Sequence, residues 1–185
     1  MRWLPSALSV SRIVFAPPIA LAILARQFSY AFTLCCIAGA TDFFDGFLAR
    51  RYGWQSRSGA WLDAISDKIL LGTIYLCFYQ TGQAPAALAA LVVGRDLMIL
   101  MLALAGLVFT AIRDFPPSVW GKLSTNVQIA TAAAILAGPD AWKPWMIWLC
   151  AAATAWSGAH YLYSAIRSWR VQADGQMKHA NDLPD

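Results

Sequence analysis

Asp42-Phe-Phe-Asp45-Gly46-Phe-Leu-Ala49-Arg50, eight further residues, then Gly59-Ala-Trp-Leu-Asp63-Ala-Ile-Ser-Asp67: this stretch sets four carboxylates among apolar side chains. Asp42 and Asp45 are three residues apart, and Asp63 and Asp67 four apart. On a helix both spacings bring the two side chains to one face. Gly46, Ala49 and Arg50 continue the first face toward its C-terminal end, and Gly59 begins the second. At about 1.5 Å of rise per residue, Asp42 lies about 12 Å from Arg50 and Asp67 about 12 Å from Gly59. Two antiparallel helices joined between Arg50 and Gly59 therefore bring the two carboxylate pairs to one depth.

The surrounding composition says what that depth is. Of 185 residues 59% are hydrophobic and 13% charged, against about 45–50% and about 25% in ordinary globular chains. So many apolar side chains call for a second apolar solvent, the bilayer. Nine Trp fit a membrane–water interface. Apolar segments recur at about 12–27, 29–49, 60–80, 86–110, 120–138 and 143–166, which predicts an all-α polytopic membrane protein with six spanning helices of about 20 residues. Pro17-Pro18 is expected to kink or break the first. Arg26 and Gln27 follow it where a signal peptide would carry a small-residue cleavage site, so it reads as an uncleaved helix. Turns are expected around Gly82, Pro116-Pro117 and Gly138-Pro139.

Basic residues orient the bundle. With six spans, ten of them (Arg2, Arg12, Arg50, Arg51, Arg57, Arg113, Lys122, Arg167, Arg170, Lys178) fall on the side of the termini and two, Arg26 and Lys143, on the other. The positive-inside rule puts both termini in the cytoplasm, and the carboxylates at the cytoplasmic ends of helices 2 and 3. The net charge of +4 then reports anionic headgroups; no nucleic-acid motif accompanies it. Residues 1–170 read as one membrane domain, and 171–185 as a mobile polar tail. Cys35, Cys36, Cys77 and Cys150 make no metal-binding pattern and read as small apolar filler. His160 reads as a packing residue.

All ten acidic residues are Asp, and five (Asp42, Asp45, Asp63, Asp67, Asp96) fall within spans. Intramembrane ionisable groups are costly and mark function. Pairing with Arg95 accounts for Asp96, but Lys68, Arg95 and Arg50 are too few to neutralise the other four. Carboxylates crowded in a low dielectric repel, and divalent cations relieve the repulsion. An all-oxygen ligand set selects Mg²⁺ or Mn²⁺ over zinc. Two such ions clamp a diphosphate and stabilise the leaving oxygen. Gly46 and Gly59 admit either a ligand or a neighbouring helix.

The quoted stretch resembles the signature of the CDP-alcohol phosphotransferase family, D-x2-D-G-x2-A-R-x8-G-x3-D-x3-D, with all eight fixed positions present at the family spacing. The resemblance implies a membrane-embedded transferase of phospholipid biosynthesis. Asp42, Asp45 and Asp63 would bind one metal, and Asp42, Asp63 and Asp67 the other. Gly46, Ala49, Arg50 and Gly59 would line the CDP site, with Arg50 on the diphosphate. Asp67 would be the general base for the acceptor hydroxyl, with CDP-diacylglycerol as donor and CMP as leaving group. A homodimer in the inner or plasma membrane is also implied. Upstream, Leu4-Pro5-Ser6-Ala-Leu8-Ser9-Val-Ser11-Arg12 is similar to the family's L-P-N-x-L-T-x-S-R start, with Ser6 for Asn and Ser9 for Thr.

Gly121-Lys122-Leu-Ser-Thr125-Asn-Val-Gln128 resembles a segment of phosphatidylglycerophosphate synthases and CDP-dependent cardiolipin synthases, both of which act on glycerol-type acceptors. Arg95-Asp96 is similar to the cardiolipin type. Ala103 stands where the glycerophosphate type has a further Arg, a cation that a phosphomonoester acceptor would want, so the pattern leans toward phosphatidylglycerol. Two other classes compete. An ion or proton transporter could relay cations along the aspartates, but no inverted repeat is visible. A structural protein with buried ion pairs would need more cations.

Overall fold

The computed structural model describes the backbone of residues 4–51, 57–109 and 119–181, and side chains within 12–43, 65–102 and 119–167 together with Arg51. Six helices follow one another: α1 (Leu4–Leu24), α2 (Phe28–Arg51), α3 (Arg57–Gln80), α4 (Ala86–Phe109), α5 (Val119–Ala137) and α6 (Lys143–Asn181), with a 3₁₀ turn at Asp140–Trp142. Among the described residues all regular structure is helical, as the apolar segments predict. Also among them, no helix is long and apolar enough to cross a membrane.

Three boundaries differ from the sequence expectation. α1 starts at Leu4, before the apolar segment, and runs through Pro17 and Pro18 without a break. Both rings are exposed. α6 continues to Asn181, past the apolar segment and into the polar tail. α1 ends where Arg26 takes a left-handed conformation (φ 58°). There the Gln27 N–H donates to the Ala22 carbonyl and the Arg26 N–H to that of Ile23, both at 2.9 Å, the pattern of a Schellman stop. Gly82 (φ 73°) turns the chain after α3, where the Gln83 and Ala84 N–H groups both donate to the Phe78 carbonyl. Beyond α5, Lys143 bonds Asp140 at 2.8 Å and Gln83 at 3.1 Å, tying two turns together. The Lys143 ammonium, by hydrogen bond and charge, holds the Asp140 carboxyl below the usual carboxylate range.

α3 packs against α1, α4 and α5, while α1 also meets α2, α2 meets α5, and α6 covers α4 and α5. The apolar core gathers Ile19 and Ile23 of α1, Tyr75 and Phe78 of α3, Leu88 and Val92 of α4, and Ile135 of α5. Tyr75 and Phe78 meet edge to face at 5.9 Å, a favoured aromatic geometry.

Polar groups join this interior. The Tyr75 hydroxyl donates to the Gln128 carbonyl at 2.9 Å and lies 3.3 Å from Cys150 Sγ. Gln128 Nε2 donates to Thr154 Oγ1 at 3.0 Å. Thr131 Oγ1 lies 2.8 Å from the Val127 carbonyl and 3.2 Å from that of Met146. Meanwhile Val14, Leu21, Met101, Trp145, Trp148 and Tyr163 face outward. The bundle thus carries many large apolar side chains on its outside, and its apolar core admits a few hydroxyls and amides. All four cysteines are free thiols, and Cys77 and Cys150 are buried in the packing role expected of them.

Candidate active site

Asp42 and Asp67 come from different helices, as their spacing requires, and converge on one group. The Arg12 guanidinium of α1 pairs with both: Nη2 with Asp42 Oδ1 and Nη1 with Asp67 Oδ1. Arg12 is 4% exposed, whereas the Asp42 and Asp67 side chains are 38% and 53% exposed. The planar guanidinium fork suits two carboxylates approaching from two sides.

The count of basic residues places Arg12 on the side of the termini but says nothing of its burial, and the structure places it inside the bundle. The sequence held a signal for this. Arg12, Ala16, Ile19 and Ile23 recur at helical spacing, and all four are buried. Arg12 is thus a charge on the inward stripe of α1, where an ion needs a partner. α1 packs along both α2 and α3, which carries the guanidinium to the carboxylates.

These three residues cap a cavity of about 370 Å³ between α2, α3 and α5. Phe32, Cys35, Leu71, Ile74, Thr125, Ile129 and Leu136 line the rest. From Asp42 to Phe32 is about ten residues of helix, or about 15 Å, half of a bilayer's hydrocarbon thickness of about 30 Å. The cavity therefore joins a charged end to a long apolar wall.

Asp45, Gly46, Ala49, Arg50, Gly59 and Asp63 lie on the described backbone of α2 and α3, but their side chains fall outside the described residues. Among the described residues no three metal-ligating side chains gather. The described pair fits a hard divalent cation in its chemistry. Both groups are carboxylates, they converge within reach of one cation, and both remain partly open at the end of a cavity.

A second charged group lies on the other side of α3. Lys68, next to Asp67, turns toward α4 and donates to Asp96 Oδ1 at 2.7 Å. Arg95 Nη1 donates to the same oxygen at 2.6 Å, and its Nη2 to Ser157 Oγ at 2.9 Å and the Gly121 carbonyl at 3.3 Å. The Arg95 guanidinium lies 5.9 Å from the centre of the Tyr161 ring. The expected Arg95–Asp96 pairing is therefore present, and it recruits α3, α5 and α6. The segment Gly121–Gln128 divides its work. Gly121 packs against Tyr161, Thr125 lines the cavity, Gln128 is buried between helices, and Lys122 is exposed.

Residues 2–156 match the CDP-alcohol phosphatidyltransferase family across most of the chain. The chain belongs to this family, as the four-aspartate motif implies. It is 29% identical over 185 residues to "Cardiolipin synthase (CMP-forming)" of Rattus norvegicus, covering 86% of this chain and 60% of that protein. It is likewise 29% identical over 187 residues to the human protein of the same name, covering 85% and 61%. It is 28% identical over 182 residues to "CDP-diacylglycerol–glycerol-3-phosphate 3-phosphatidyltransferase" of Salmonella choleraesuis (strain SC-B67), covering 88% and 94%. The chain thus spans about three fifths of the rat and human proteins. Nothing in the bundle or these relatives favours the ion-transport alternative.

Proposed function

We propose that this chain is a membrane-embedded transferase that moves the phosphatidyl group of CDP-diacylglycerol to a glycerol-type alcohol, releasing CMP. The observation that carries the reading is the convergence of Asp42 and Asp67 at the charged end of an apolar cavity, on the motif that defines the family. The many outward-facing large apolar side chains support a bundle immersed in lipid. Both termini lie in the cytoplasm, by the distribution of basic residues, and the assembly implied by the family resemblance is a homodimer.

Asp42, Asp45, Asp63 and Asp67 would hold two divalent cations, Mg²⁺ or Mn²⁺. When bound, these ions supply charge stabilisation for the diphosphate and its departing oxygen. Arg50 binds a diphosphate oxygen, and Gly46, Ala49 and Gly59 leave room for the cytidine. Asp67 accepts the proton of the acceptor hydroxyl. The freed oxygen pair forms a bond to the phosphorus that bears the diacylglycerol. The bond from that phosphorus to the bridging oxygen breaks, and its electron pair leaves with CMP. Positioning and charge stabilisation suffice for an in-line displacement of this kind.

Arg95 is enclosed by Asp96, Ser157, the Gly121 carbonyl and Tyr161. That engagement supports phosphatidylglycerol over glycerol 3-phosphate as acceptor, since a phosphomonoester needs an available cation. The test is a panel: purified protein in micelles with CDP-diacylglycerol, Mn²⁺ and each acceptor, followed by CMP release. Release with phosphatidylglycerol alone supports the reading. Release with glycerol 3-phosphate alone reassigns the acceptor, and none with any alcohol refutes the transferase.

A further inference from the structure

Arg12 occupies the carboxylates that the proposed mechanism gives to metal ions. Each of its two terminal nitrogens takes one carboxylate, so a single guanidinium bridges α2 and α3 from α1. At 4% exposure it has little water of its own, and a buried charge of this kind needs its counter-ions. The carboxylates need it equally, because two anions held close together repel.

We propose that Arg12 is a positioning residue that serves as the built-in cation of the metal-free site and competes with divalent ions for Asp42 and Asp67. The proposal rests on the metal-dependent reading above. Loading the site sets a hard dication against the guanidinium at the same oxygens. Both are positive, so each lowers the affinity of the other, and the coupling is reciprocal. The guanidinium, once displaced, has its fork free for an anion at the same end of the cavity. A phosphate-bearing substrate would therefore ease metal loading by taking Arg12 away from the carboxylates. The clamp also keeps the metal-free bundle from separating at the point where its negative charges meet.

The experiment measures Mn²⁺ binding to the purified full chain in micelles, without substrate, by the loss of the free-ion paramagnetic signal. Wild type is compared with Arg12→Met and Arg12→Lys. Removing a unit charge a few ångströms from the ion should tighten Mn²⁺ binding ~tenfold or more in Arg12→Met. Arg12→Lys, which keeps the charge, should stay near wild type. A thermal-unfolding series checks the fold: Arg12→Met should melt lower than wild type without metal and gain more from added Mn²⁺. A residue that merely packed would lower stability without tightening Mn²⁺ binding. Equal or weaker Mn²⁺ binding by Arg12→Met, with wild type binding normally, would overturn the proposal alone. Failure of wild type to bind Mn²⁺ at all would overturn the metal-dependent reading, and the proposal with it.

Discussion

Replacing Asp96 with alanine tests how the second charged group holds the bundle. Its Oδ1 accepts from Arg95 Nη1 at 2.6 Å and from Lys68 Nζ at 2.7 Å. The two cations differ in burial: the Arg95 side chain is 4% exposed and that of Lys68 32%. Without Asp96, Lys68 can turn to solvent, while Arg95 keeps a buried charge with only Ser157, a carbonyl and a ring as partners. Breaking a buried pair from one side costs about 3–5 kcal/mol. At about 2–4 °C per kcal/mol for a chain of this size, the melting temperature should fall by about 6–20 °C. Lys68→Met, at the more exposed end, should cost about 1 kcal/mol or less. The double variant Arg95→Met with Asp96→Ala should lose less than the sum of its single changes, because the stranded charge is gone. Thermal unfolding in micelles, followed by circular dichroism, gives all four values. If Asp96→Ala melts no lower than Lys68→Met, the buried ion pair is not what joins α3, α4 and α6.

Other consequences are local. A Cβ at Gly121 would stand 2.8 Å from the Tyr161 hydroxyl and 3.4 Å from Arg95 Nη2, so Gly121→Ala should lower stability by about 1–3 kcal/mol, read as a lower melting temperature. Tyr75→Phe removes the bond to the Gln128 carbonyl and should cost about 0.5–1.5 kcal/mol, measured by unfolding in micelles. Chelation of divalent ions should abolish CMP release, and added Mn²⁺ or Mg²⁺ should restore it; release that survives chelation would remove the metals from the mechanism.

The helices were readable because each is one apolar segment bounded by turn residues, and four of the six end within a few residues of expectation. α1 and α6 were not, because their outer turns are polar and carry no hydropathy signal. The antiparallel meeting of Asp42 and Asp67 followed from helical rise alone. The cation between them did not, because a count of charges by side ignores the place of Arg12 on the buried stripe with Ala16, Ile19 and Ile23. Helix-to-helix partners such as Lys68–Asp96 and Gln128–Thr154 depend on how the helices rotate against each other, which no single segment encodes. The Arg95–Asp96 pair was readable because its members are adjacent in sequence.

In the proposed reaction Asp67 takes the acceptor's proton while a CDP-linked lipid occupies the cavity. Its most direct test is CMP release from CDP-diacylglycerol and phosphatidylglycerol by wild type and by Asp67→Asn, each with its melting temperature measured in parallel. Wild type should release CMP only when metal and alcohol are both present. Asp67→Asn should remain folded and release CMP at least a hundredfold more slowly, the lower end of what a positioned base of about 10²–10⁴-fold contributes. A folded Asp67→Asn protein with wild-type CMP release would contradict the account.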